Sequence, residues 1–190
     1  MKRDQPKYRS TIRVLLGAAL ILLLPLSAMQ FTDEVVWNLA DFAVAGGLLV
    51  GTGLLYEAAG RRTRNIAYRA AAGVALAAAL LLVWINLAVG IIGDEGNPAN
   101  AMYIGVLAAG GAGALIARFQ PHGMARALLA TALAQALITV ITLSAGFAAP
   151  ASGPLEILML NGCFVALFVG SAWLFRHAAR DPISPRAPAA

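Results

Sequence analysis

The stretch Ile66–Ile92, IAYRAAAGVALAAALLLVWINLAVGII, carries a single charged side chain, Arg69. From Ala70 onward it has none, and it exceeds the roughly 20 helical residues that cross about 30 Å of hydrocarbon. A helix that is apolar on every side has no face for water, and only helices or closed barrels satisfy their backbone in lipid. Five further apolar runs accompany it, at 14–29, 35–59, 101–117, 125–148 and 155–175. The whole chain of 190 residues is 60% hydrophobic and 12% charged. That is more apolar surface than one soluble core of this size covers. The expected fold is all-α: a polytopic membrane protein with six transmembrane helices in one domain over 1–180. A disordered tail is expected at 181–190, where Pro182, Pro185 and Pro188 fall.

Charge placement orients the spans. Lys2, Arg3, Lys7, Arg9 and Arg13 precede the first run, and Arg61, Arg62, Arg64 and Arg69 stand between the second and third. Arg118 and Arg126 flank the junction of the fourth and fifth, and Arg176, Arg180 and Arg186 follow the sixth. The other junctions hold acid: Asp33 and Glu34, Asp94 and Glu95, then Glu156. Positive loops stay in the cytoplasm, so both termini are expected there. The first run also resembles a signal peptide, with Leu26-Ser27-Ala28 after the apolar core. It is read as a retained span, since five spans would put the two arginine-bearing termini on opposite sides. The formal charge of +5 is spent on these junctions, which argues against nucleic acid as a partner.

A repeat suggests three related helical hairpins. Arg13-Val-Leu-Leu-Gly-Ala-Ala-Leu20, Arg69-Ala-Ala-Ala-Gly-Val-Ala-Leu76 and Arg126-Ala-Leu-Leu-Ala-Thr-Ala-Leu133 open the odd-numbered spans. The even-numbered spans carry small residues four apart: Ala43, Gly47 and Gly51, then Gly105, Ala109 and Gly113, then Gly162, Ala166 and Gly170. Small residues let helix backbones approach. This pattern predicts the second, fourth and sixth spans at the packed centre and the first towards lipid.

Enzymatic chemistry is not expected. His122 and His177 lie beside Arg118 and Arg176, away from Cys163, and no Gly-rich phosphate loop or metal-spaced Cys/His set occurs. No catalytic residue, metal or cofactor is therefore assigned. Glu57 and Arg61, four apart in the favourable order, predict an interfacial ion pair. What remains is a set of polar side chains inside apolar runs, which are expensive there. Asp41 leads it. Counted at ~1.5 Å per residue from the outer ends of the expected spans, Asp41, Asn86 and Asn161 share a depth of about 9 Å. Asn38 shares a helix face with Asp41, and Thr131, Gln135, Thr139 and Thr142 form one stripe on the fifth span. The candidate binding residues are Asp41, Asn38, Asn86, Asn161 and Gln135. The competing reading is interhelical hydrogen bonding worth about 0.6 kcal/mol each, without a ligand.

The strings Phe31-Thr-Asp-Glu-Val-Val-Trp-Asn-Leu-Ala-Asp-Phe42 and Trp84-Ile-Asn-Leu-Ala-Val-Gly-Ile-Ile-Gly93 resemble an uncharacterised family of small bacterial multi-span inner-membrane proteins. The resemblance implies an inner-membrane location and no particular function. Segments it resembles often carry Glu where this chain has Asn86, which implies that any site built on a carboxylate pair with Asp41 is weakened here. The expected function is handling of a small solute or cation through a polar site near the outer leaflet. The alternative is a non-transporting accessory subunit or scaffold. Expected partners are membrane lipid, a small cation or polar solute, and a membrane protein or second copy of the chain.

Overall fold

The computed structural model describes residues 5–32, 36–94, 96–146 and 153–180. Among them every regular element is helical: α1 (Gln5–Phe31), α2 (Leu39–Arg62), α3 (Ile66–Ala88), a 3-10 turn (Pro98–Ala101), α4 (Met102–Ile116), α5 (Pro121–Ala145) and α6 (Pro154–Arg180). Six segments are long and apolar enough to cross a membrane, α4 counted together with the 3-10 turn before it. The expected tail at 181–190 lies outside the described residues. The chain divides into two compact units, Met1–Arg62 and Thr63–Ala190.

In the first unit α1 and α2 form an antiparallel hairpin. Gly53 faces Val14, and a Cβ at Gly53 would stand 2.5 Å from Val14 Cγ1. Leu16, Leu20 and Leu24 of α1 are exposed, as a lipid-facing helix requires. The expected pair of Arg61 and Glu57 forms at 3.2 Å.

In the second unit α5 packs on both α4 and α6, and α6 packs on α3. The buried face of α6 steps by three and four through Ile157, Asn161, Phe164, Phe168, Ser171, Phe175 and Ala178, the spacing that keeps one face against a neighbour. Small side chains are buried on the two helices beside it, Ala71, Ala72 and Ala78 on α3 and Ala125, Ala127 and Ala132 on α5. The buried Ser171 hydroxyl donates to the Ala71 carbonyl at 2.7 Å, tying α6 to α3. α4 lies close on α5, where a Cβ at Gly113 would stand 2.7 Å from Ala127 Cβ and 3.2 Å from its Cα.

This arrangement does not confirm the three-hairpin repeat, because α3 and α4 pack mainly on α6 and α5 instead of on each other. Within this unit α5 and α6 are the central helices, so of the fourth and sixth helices expected at the packed centre α6 is there and α4 is not. Of the glycines in the small-residue stripes of this unit, only Gly113 sits at a crossing. Gly105, Gly162 and Gly170 face open space, with no atom of the unit within 4 Å of an added Cβ. The reason lies in side-chain bulk, since the Phe-bearing face of α6 and not its glycine face fills the interior.

The helix ends correct the depth count. α2 begins at Leu39 and not at 35, so Asp41 stands in its first turn, and α3 ends at Ala88 and not at 92, so Asn86 stands in its last turn. Both are about 3 Å from a helix end, whereas Asn161 is about 10 Å inside α6. Counted from the helix ends, the three therefore do not give one value. The chain leaves α3 at Gly90 (φ +73) in the left-handed region, which L side chains adopt at a cost, and Gly93 (φ +72) turns the loop beyond it. Asn100 then fastens the loop: its Oδ1 accepts from the Ile91 and Ile92 amides at 3.1 and 2.9 Å, and its Nδ2 donates to the Asp94 carbonyl at 2.6 Å.

Candidate functional site

Asn38 and Asp41 explain one another. Asn38 Oδ1 accepts from the amides of Ala40 and Asp41 at 2.7 and 3.2 Å, and Asp41 Oδ2 accepts from the Asn38 amide at 2.7 Å. This reciprocal arrangement is a capping box, which satisfies the otherwise orphaned donors at the start of α2. A carboxylate there also faces the positive end of the helix dipole. Asn38→Ala removes the acceptor and is expected to lower stability by about 1 kcal/mol. Asp41→Asn, which keeps an acceptor at the same reach, is expected to melt close to wild type. Thermal melts of the purified protein in detergent check both; equal losses would mean that the carboxylate charge carries the cap.

Asn86, at the end of α3, donates from Nδ2 to the backbone carbonyl of Asn100 at 3.4 Å. It belongs to the clamped loop and not to a cluster with the other candidates in its unit.

Gln135 and Asn161 do come together. Gln135 Nε2 of α5 donates to Asn161 Oδ1 of α6 at 2.7 Å, and the hydroxyl of Tyr103 on α4 donates to the same oxygen at 2.9 Å. Asn161 Nδ2 in turn donates to the Ile157 carbonyl one turn back at 2.9 Å, which fixes the amide orientation. One oxygen thus gathers three helices. Tyr103 reaches it because the 3-10 turn and α4 together present Asn100, Tyr103 and Val106 along one face, all buried. Gln135 and Asn161 are fully buried at 0% exposure.

The threonines of the α5 stripe are buried too, but they bond mostly to their own helix. Thr131 donates to the Ala127 carbonyl at 2.9 Å and Thr139 to the Gln135 carbonyl at 3.0 Å. Two polar atoms are left over. Gln135 Oε1 and Thr142 Oγ1 are buried and have no hydrogen-bond partner among the described residues. Thr142 lies two turns from Gln135 towards the acidic end of the unit, about 10 Å along the helix. An unpaired acceptor in a dry interior costs about 1–3 kcal/mol, so one fully buried at three packed helices calls for a ligand or water.

The described parts of these three helices carry no formal charge near the cluster. Between Ala127 and Ala145 α5 has no ionisable side chain, α4 has only Tyr103, and α6 has only Cys163 between Ile157 and Leu174. Among the described residues no three His, Cys, Asp or Glu come close enough to hold a metal.

No protein-family model, curated protein or solved structure matches this chain. Function must therefore be argued from the site itself.

Sequence reasoning named Gln135 and Asn161 but missed Tyr103 and Asn100. Tyr103 follows Asn100 by three residues and so shares its helix face, a signal that was available. The partner of its hydroxyl depends on how α4 is set beside α6, which one sequence does not specify.

Proposed function

We propose that this chain is a bacterial inner-membrane protein, with both termini cytoplasmic, that takes a small uncharged polar solute through the Tyr103–Gln135–Asn161 cluster. The observation that carries the proposal is the unpaired, fully buried Gln135 Oε1 beside an otherwise satisfied network. Such an acceptor suits a hydrogen-bond donor. A neutral donor fits better than a cation, because the described interior of the unit supplies no countercharge and an unpaired charge in hydrocarbon is costly. The cation reading rests on Asp41, which is already engaged in the α2 cap. Thr142 Oγ1 extends the same line of acceptors towards the acidic end.

The test is flux into proteoliposomes, read by light scattering after an osmotic step, with urea and glycerol as neutral donors and potassium as the cation. Urea or glycerol should enter faster than into protein-free vesicles and potassium should not. Lipid-baseline rates for all three would remove the solute reading. The accessory-subunit reading would then lead, supported by the open faces at Gly105, Gly162 and Gly170. Orientation is tested separately. Reporter fusions after Gly96 are expected to read as periplasmic and after Pro121 as cytoplasmic; agreement between the two would remove the six-span topology.

A further inference from the structure

Three contacts gather the opposite end of the Thr63–Ala190 unit. The Tyr68 hydroxyl on α3 donates to the Phe119 carbonyl in the α4–α5 turn at 2.8 Å. The ring of Tyr68 meets Phe175 of α6 edge to face, with centroids 5.0 Å apart. Asn65 Nδ2 donates to the Ala178 carbonyl at 3.4 Å. Each contact has arginine beside it: Arg64 and Arg69 around Asn65 and Tyr68, Arg118 next to Phe119, Arg176 next to Phe175, and Arg180 two residues past Ala178.

These five arginines are exposed, and none makes an ion pair with a described residue. The described acids of the unit, Asp94 and Glu156, stand at its other end, beyond the last turn of α3 and in the first turn of α6. The turn is held and not loose. Arg118 (φ 49) and Phe119 (φ 59) both occupy the left-handed region, which non-glycine residues rarely adopt, and the buried Tyr68 fastens it. Apolar side chains border the arginines on the span side, with Ile66 and Ile116 each 83% exposed and Trp173 65% exposed.

We infer that this arginine end binds the phosphate-bearing headgroup of an anionic phospholipid. The paired requirement for phosphate and acyl chain follows from the layout: unpaired guanidinium groups, which match phosphate oxygens in a fork, directly above exposed apolar side chains at the ends of spanning helices. A free phosphate would use the first feature and leave the second idle. Basic clusters at such a position attract anionic lipid, each residue contributing about 1 kcal/mol, or about fivefold in binding.

The experiment is competition for a fluorescent phosphatidylglycerol on the full-length protein in neutral-detergent micelles, with unlabelled phosphatidylglycerol, phosphatidylcholine or inorganic phosphate as competitor. Phosphatidylglycerol should compete at least about tenfold better than phosphatidylcholine, and inorganic phosphate should not compete. Arg118→Gln and Arg176→Gln should each weaken binding about fivefold, while Arg61→Gln, whose guanidinium is paired with Glu57, should leave it unchanged. Equal competition by the two lipids, displacement by inorganic phosphate, or folded Arg118→Gln and Arg176→Gln variants binding like wild type would each overturn the inference. Should those variants fail to fold, salt on the wild type decides. The lipid preference must shrink as salt rises, and a salt-independent preference overturns the proposal as well.

Discussion

Asn161→Leu is expected to lower the melting temperature in detergent by roughly 6–12 °C, with Tyr103→Phe losing only a fraction of that. The difference follows from who is left unpaired. Asn161 Oδ1 accepts from both Gln135 and Tyr103, so leucine of similar size strands two buried donors at once. At about 1–3 kcal/mol for each stranded group the cost is about 3 kcal/mol, and about 2–4 °C per kcal/mol converts it for a chain of this length. Tyr103→Phe removes one donor and leaves Asn161 still bonded to Gln135. Intramembrane hydrogen bonds average about 0.6 kcal/mol, which sets the smaller expectation. Equal losses in the two variants would mean that packing and not the shared acceptor dominates the cluster.

The second large effect belongs to Gly113. A leucine there drives its Cβ into Ala127, where even the backbone Cα is only 3.2 Å away. Neither partner is the free end of a flexible chain, so α4 and α5 must separate. Overpacking of this kind costs about 1–3 kcal/mol and often more, and Gly113→Leu is expected to lose most of its folded yield. Gly162→Leu and Gly170→Leu should melt like wild type, since nothing of the unit lies within 4 Å of either. Within the crossing, Ala127→Gly should restore part of what Gly113→Ala loses. Uniform tolerance, or uniform failure, of the three leucine variants would contradict the α4–α5 crossing described above.

The glycines show where sequence reasoning stops. Repeated small residues say that backbones can approach, not which of them do. Gly113 meets Ala127, while Gly105, Gly162 and Gly170 of the same pattern meet nothing in the unit. The six spans were legible because lipid imposes length and apolarity on each segment independently of its neighbours. Helix ends were less so. An Asn-x-x-Asp pattern at Asn38–Asp41 is itself a capping signal, but it sits inside a hydropathic run that reads as continuous helix from 35. Asp41 was thereby placed too far from its helix end. The α5 stripe was legible from its four-four-three spacing, and all four residues are buried. Its meeting with Asn161 was not, since pairing across helices depends on packing between faces of similar hydrophobicity.

Gln135→Leu separates a ligand site from hydrogen-bonding glue, because Gln135 is both a donor to Asn161 and the owner of the unpaired Oε1. The leucine removes an orphaned acceptor along with one bond, and Tyr103 still donates to Asn161, so the variant should melt within about 1 kcal/mol of wild type. The decisive measurement is urea and glycerol entry into vesicles containing wild type or Gln135→Leu, each shown to be folded. Faster entry with wild type, falling to the protein-free rate in Gln135→Leu, is the predicted result. Accelerated entry that survives in the folded Gln135→Leu variant would contradict the assignment of the solute site to this cluster.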